Sequence, residues 1–217
     1  NLTHVRLTAL LLPALLLAGC ATAPSTPSRP AADVRNDIVQ RMPSEVADRE
    51  GWAADIQAAF TAQGIEPNLE NICAVLAVTE QESGYVANPA VANLPKIARG
   101  EIDRRAAELH VPKFLVEAAL AIRSPDGETY SARLDKVRTE RDLSAIYEDM
   151  VGSVPLGKRM FANYNPVQTG GPMQVGIPFA ESKAAGYPYP VEGTIRDEVF
   201  TRRGGMYFGI AHLLGYQ

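Results

Sequence analysis

Cysteine, histidine and tryptophan are scarce in this 217-residue chain, which has two, three and one of them. The histidines, His4, His110 and His212, have no ligand-type spacing, so we predict no metal site and no cofactor. Neither a serine nucleophile elbow nor a phosphate-binding loop occurs. The net charge of −4 lacks the basic excess that nucleic-acid binding needs, so no nucleic-acid partner is expected.

The N-terminal segment is the most informative part of the sequence. After Arg6, an apolar run from Leu7 to Leu17 is too short to span a bilayer, which needs about 20 residues, but is typical of a signal peptide. It ends in Leu17-Ala18-Gly19-Cys20, which resembles the lipobox of bacterial lipoproteins, where the chain is cut before an acylated cysteine.

The resemblance implies a signal peptide over residues 1–19 and a membrane anchor of palmitate-type acyl chains on Cys20. Because Ala21 follows where a retention aspartate would otherwise stand, we expect a cell-envelope lipoprotein at the periplasmic face of the outer membrane. The alternative is an ordinary signal peptide with an incidental cysteine.

The mature chain is predicted to be a flexible tether followed by one mainly α domain. Residues 20–34 form the tether, because the run of Ala, Thr, Pro and Ser in 21–30 buries no apolar surface. The domain covers 35–217. Within it, a helix carrying Trp52, Ile56 and Phe60 ends at Gly64, and a second one, capped by Asn68, ends by Gly84.

Several further helices are predicted between residues 96 and 151. Apolar stripes over Ile97–Leu109 and Phe114–Ile122, a turn at Ser124–Gly127 and a Thr139/Asp142 capping box define them. The segment from 152 to 190 is predicted as loops around short helical pieces, and 194–214 as helix interrupted at Gly204-Gly205. Cys73, in the apolar run Ile72–Leu76, is interpreted as a small buried hydrophobe.

The candidate catalytic residue is Glu82, in Glu82-Ser83-Gly84-Tyr85 at the end of the second helix. It lies seven residues after Val75 and three after Thr79, so it is expected beside the apolar stripe, where partial burial and the helix C-terminus both raise a carboxyl pKa. A protonated carboxyl is what a general acid needs to protonate a glycosidic oxygen. On the residues alone, a structural or merely solvated glutamate is the stronger interpretation.

A resemblance to a known family favours the catalytic interpretation. Glu82-Ser83-Gly84-Tyr85 resembles the Glu-Ser motif of lytic transglycosylases related to goose-type lysozyme, in which the glutamate is the sole acid and base. Thr169–Val175 resembles their Gly-Leu-Met-Gln motif, with Pro172 for leucine, and Arg203–Leu214 resembles their small-residue helix. The family implies a lysozyme-like helical domain.

The chain departs from this family in two respects. Gly171 follows Glu82 by 89 residues, which we interpret as a helical insertion lobe over approximately 94–160. The family's Ala-Tyr-Asn motif is missing after the small-residue helix; Tyr164-Asn165 either substitutes for it in space, or the true motif lies beyond Gln217.

The resemblance implies a lytic transglycosylase that cleaves the MurNAc–GlcNAc β-1,4 bond of peptidoglycan and forms 1,6-anhydro-MurNAc. Its partners would be glycan strands and, through Cys20, the membrane; no protein partner is indicated. The alternatives are a non-catalytic peptidoglycan-binding or assembly lipoprotein, a hydrolytic muramidase and an unrelated helical scaffold. Glu82 would be catalytic, and the substrate-binding residues would be Ser83, Tyr85, Tyr164, Asn165, Met173, Gln174 and Tyr207.

Overall fold

A computed structural model describes residues 29–153 and 164–215. Within these residues the chain is mainly helical and its only sheet is a two-stranded hairpin, so the predicted mainly α class is confirmed. The predicted signal peptide and Cys20 lie outside the described residues, as does the end of the predicted insertion.

Three helices open the main body: α1 (Ala31–Arg41), α2 (Arg49–Gln63) and α3 (Leu69–Ser83). The predicted ends of α2 and α3 are confirmed. Gly64 and Gly84 terminate these helices with left-handed φ values of 66° and 56°, and Asn68 caps α3 by accepting a 2.9 Å hydrogen bond from the backbone N–H of Asn71.

Helix α1 corrects the predicted tether boundary. Residues 31–34 begin this helix, and Val34 and Ile38, four residues apart on one face, are buried against α2. The alanine-rich composition before Val34 indicated a spacer, but residues 31–33 form the first turn of a helix that is anchored by the burial of Val34 and Ile38. Cys73 is a second correction: it is exposed, because α3 buries Ile72 and Val75 on its other side.

The predicted insertion forms a helical lobe of α4 (Leu94–Glu108), α5 (Lys113–Leu120), α6 (Tyr130–Lys136) and α7 (Glu140–Gly152). The capping box of Thr139 and Asp142 begins α7, as predicted. The predicted turn is closed by Gly127, whose backbone N–H donates to the Ser124 carbonyl at 2.9 Å. The lobe has a core of its own, made of Leu94, Ala98, Leu120, Tyr130, Leu134, Val137 and Ile146.

The apolar stripes predicted for α4 and α5 are wrong. Ile97 is 55% exposed, Leu109 73% and Phe114 67%, whereas Leu94 and Ala98 are buried. The reason is the small size of the lobe: α6 covers one side of α4, and α5 buries only Leu120 among its own residues. Periodicity identified the helices but not which face of each helix packs against another element.

The C-terminal part begins with the antiparallel strands β1 (Thr169–Gly170) and β2 (Val175–Gly176), in which Thr169 pairs with Gly176. Helices α8 (Ile177–Ser182), α9 (Ile195–Val199) and α10 (Arg202–Leu214) follow, with a 3₁₀ turn at Ala184–Gly186. The hairpin was not predicted, because its strands are two residues long.

The predicted interruption at Gly204-Gly205 is also corrected. The break lies at Phe200-Thr201, where the Thr201 hydroxyl accepts a 3.0 Å hydrogen bond from the Gly204 N–H, and both glycines lie inside α10. A Cβ at Gly204 would collide with the Glu198 carbonyl, and one at Gly205 with Pro172. These glycines permit close packing and do not break the helix.

Helix α10 is central to the main core, since it packs against α2, α3, α8, α9 and β2. Its own Met206, Phe208 and Ile210 are fully buried there, together with Ile56 of α2 and Ile72 of α3. None of the helices in residues 29–153 and 164–215 has both the length and the hydrophobicity required to cross a bilayer.

Candidate functional site

The three motif segments meet on one face of α10. The Thr79 hydroxyl of α3 lies 3.8 Å from Met206 Sδ. Met173 of the hairpin loop packs on Gly209, where an added Cβ would stand 2.6 Å from the Met173 Cβ. Positions 206 and 209 are neighbours on one helical face, so Thr79 of α3 and Met173 of the hairpin loop pack at adjacent positions of α10.

The hairpin loop is held in a strained form. Gly171 and Gln174 have φ values of 75° and 49°, and a Cβ at Gly171 would collide with the Val199 carbonyl. The left-handed conformation costs a non-glycine residue roughly 1–2 kcal/mol and is often found at functional sites.

Two hydrogen bonds orient the half-buried side chain of Gln174. Its Oε1 accepts from the Thr169 hydroxyl at 3.1 Å, and its Nε2 donates to Glu140 Oε2 at 3.3 Å. The predicted binding residue Gln174 is half-buried, so part of its side chain is accessible at the site. Met173 beside it is buried and acts in packing.

Glu82 is exposed, which contradicts its expected desolvation beside the apolar stripe. Helix α3 ends at Ser83, so Glu82 projects beyond the packed part of that stripe. The Ser83 hydroxyl donates to the Thr79 carbonyl at 2.9 Å and thereby satisfies a carbonyl in the last turn of the helix.

Tyr85 is a structural residue, which corrects its predicted contact with substrate. Its side chain is buried, its hydroxyl donates to the Leu76 carbonyl at 3.1 Å, and its ring meets Trp52 edge-on at 5.5 Å. Burial, with a smaller contribution from the charge of Glu80, raises the pKa of Tyr85 to about 12. The hydroxyl is thus committed to closing the loop after α3.

The side chains of Asn165 and Tyr207 also form hydrogen bonds within the protein, which corrects their assignment as binding residues. The buried Asn165 amide donates to the Ser144 hydroxyl at 3.0 Å and to Glu148 Oε1 at 2.9 Å, so it joins α7 to the chain before the hairpin. Tyr207 is buried and donates to the Gly186 carbonyl at 2.6 Å. Tyr164 is 60% exposed, and its carbonyl accepts from Arg105 at 2.9 Å.

Glu140 is the residue that sequence reasoning missed. It is the first residue of α7, half-buried, and it accepts the hydrogen bond from Gln174. Burial raises its pKa, and the Gln174 hydrogen bond lowers it by less. The capping box predicted a helix starting at this glutamate, but no pattern in the sequence indicated that it faces the hairpin.

The loop after α3 is tied to the chain just before Glu140. The Val91 N–H donates to the Arg138 carbonyl at 2.8 Å, and the Asn88 amide donates to the Thr139 hydroxyl at 3.1 Å. The insertion lobe therefore borders the region where α3 ends. In the described parts of the chain, no cluster of three His, Cys, Asp or Glu side chains could hold a metal ion.

Comparison with known proteins decides the family. A family model described as "Protein of unknown function (DUF1615)" matches residues 45–217. The chain belongs to this family. It is also 54% identical over 209 residues to "Uncharacterized protein YaiW" of Escherichia coli (strain K12).

That alignment covers 95% of this chain and 57% of the relative, so the chain spans little more than half of the relative's length. No solved structure matches the chain. Neither the family's description nor the relative's name states an activity, so a function has to be inferred from the arrangement of residues in the structure.

Proposed function

We propose that this DUF1615 member has a lysozyme-like domain and is a peptidoglycan lytic transglycosylase, anchored through Cys20 at the periplasmic face of the outer membrane. The observation that supports the proposal is the packing of two motif segments on α10, which is the third. Glu82 and Gly171 are 89 residues apart in sequence, yet the helix that carries Glu82 and the Gly171–Gln174 loop both pack on α10. Packing of these segments against one another is what the resemblance predicts.

In the proposed reaction, Glu82 donates its proton to the oxygen that links MurNAc to GlcNAc, and the bond from MurNAc C1 to that oxygen breaks. The Glu82 carboxylate then accepts the proton of the MurNAc C6 hydroxyl, and the C6 oxygen bonds to C1. The 1,6-anhydro product forms without consuming water. Gln174, the motif side chain that remains accessible, is the proposed sugar contact.

The test is digestion of purified peptidoglycan, with the products identified by mass spectrometry. Wild type is expected to release anhydro-MurNAc ends, and Glu82→Gln to lower the rate by about 10²-fold or more, the usual effect of losing a general acid. Glu70→Gln changes an exposed glutamate in the first turn of the same helix and is the matched control. Release of the same ends by Glu82→Gln would refute the assignment.

A hydrolytic muramidase is the second candidate, and Glu140 favours it. Hydrolysis commonly uses two carboxyl groups, one of them with a raised pKa, and Glu140 supplies such a group beside Gln174. Reducing ends instead of anhydro ends, and their loss in both Glu82→Gln and Glu140→Gln, would identify this reaction.

A non-catalytic peptidoglycan-binding or assembly lipoprotein is the third candidate. The exposure of Glu82 and the internal hydrogen bonds of Tyr85, Asn165 and Tyr207 favour it, because they leave few groups free for turnover. Retention of wild type on sedimented peptidoglycan, with no new ends of either kind, would identify this function.

A further inference from the structure

The insertion lobe contains a cavity of about 490 Å³ that opens beside the hairpin. Helices α4 and α7 and the chain leading into β1 line it, and the buried side chains Leu94, Ala98, Leu120, Leu134 and Ile146 contribute apolar wall. Its volume is in the range of sites that take small organic ligands, roughly 300–1,000 Å³. Such a wall suits an aliphatic chain better than a sugar, which needs many hydrogen-bonding partners.

Three charged side chains line this cavity: Glu101, Arg105 and Glu140. Arg105 is already paired, since its Nε lies 2.6 Å from Glu101 Oε1, and Glu101 is also bonded to Arg104. In the described part of the chain, Glu140 takes part in no ion pair; its partner is the neutral amide of Gln174. The lining therefore carries one negative charge without a counter-ion.

The uncompensated carboxyl lies on the hairpin side of the cavity, because Gln174 of the hairpin donates a hydrogen bond to it and accepts one from Thr169, which also lines the cavity. Burial raises the pKa of Glu140, which is the response of a carboxylate that lacks a nearby cation. A bound cation would supply the missing charge.

We propose that this cavity binds a single-chain amphiphile with a cationic ammonium head, its aliphatic chain against the apolar wall of the lobe and its head on the Glu140 carboxylate. The apolar wall favours the chain because burial of each CH₂ group contributes about 0.8 kcal/mol. Glu140 selects the head: an anionic head would be repelled, and an uncharged one would leave the carboxylate uncompensated. This site does not depend on glycan cleavage by the protein.

Isothermal titration at pH 7 with n-decylammonium, n-decanol and n-decanoate separates the contributions of chain and head. Wild type is expected to bind decylammonium about tenfold or more tightly than decanol, the effect of one hydrogen-bonded charge, and decanoate least. Glu140→Gln keeps the shape and removes the charge. It should bring the decylammonium affinity to that of decanol.

Ala98→Phe, which fills the cavity, is expected to weaken binding of decylammonium and decanol alike by about tenfold or more. Ala77→Phe, at an exposed position of α3, is its control and should leave both unchanged. Since Glu140→Gln tests the head independently, the proposal remains open to refutation if Ala98→Phe fails to fold. No binding of decylammonium to wild type, equal binding of all three ligands, or an ammonium preference that survives in Glu140→Gln would each overturn it.

Discussion

The contact between Gly209 and Met173 gives the sharpest test of how the hairpin is held. In Gly209→Ala, the new methyl would lie 2.6 Å from the Cβ and Sδ of Met173 and 2.9 Å from its Cγ. Rotation about Met173 χ angles moves the sulfur but not the Cβ, so the hairpin backbone must shift away from α10. Overpacking of this kind costs about 1–3 kcal/mol.

Replacement of glycine by alanine within a helix also has a favourable part of about 1 kcal/mol. Gly100→Ala isolates it, because Gly100 lies inside α4, is exposed, and has no neighbouring atom within 4 Å of an added Cβ. The difference between the stability changes of Gly209→Ala and Gly100→Ala is then the packing effect alone. Gly209→Ala should therefore be less stable than Gly100→Ala by about 1–3 kcal/mol.

Urea unfolding followed by circular dichroism measures both free energies of unfolding, with an unchanged m-value as the check that the comparison is valid. A Gly209→Ala variant as stable as Gly100→Ala would refute the packing of Met173 on α10. It would also remove the main support for a shared site at α3 and the hairpin.

Three further predictions concern single side chains. Burial raises the pKa of Glu140 above its usual value. The protonated carboxyl therefore contributes its full stability below the pKa of the unfolded state, and this contribution is lost as pH rises through the pKa of the folded state. Relative to wild type, Glu140→Gln should gain in melting temperature between pH 4 and pH 7, whereas Glu70→Gln should not. Asn165→Ala leaves buried partners unpaired and should cost about 1–3 kcal/mol in urea unfolding; no loss would contradict its role between α7 and the hairpin. In a Cys20→Ala background, Cys73 should react with a thiol reagent without denaturant, and a need for urea would mean that it is buried.

Local sequence patterns were sufficient for helix ends. Gly64 and Gly84 adopt the left-handed conformation that glycine allows, and Asn68 and Thr139 cap the helices that follow them. These outcomes depend on interactions within a few residues, so the sequence by itself determines them.

Local sequence patterns did not predict which residues are buried. Ile97 and Phe114 follow a helical period yet are exposed, and Cys73 is exposed within an apolar run. Each apolar face needs a partner, and which face receives one depends on elements distant in sequence. The strands of the hairpin are too short to have a local sequence pattern. Only the tertiary structure, in which they pack on α10, identifies them.

The same distinction between local and tertiary interactions applies to the candidate site. The sequence by itself determined that Glu82 lies at the end of a helix, because the helix end follows from the local backbone preference of Gly84. Only the tertiary structure decided that Glu82 is exposed, that the hydroxyl of Tyr85 is engaged internally, and that Glu140 faces Gln174. Exposure, hydrogen bonding and charge compensation are set by neighbours from other segments of the chain, and their positions are fixed only when the lobe and α10 pack.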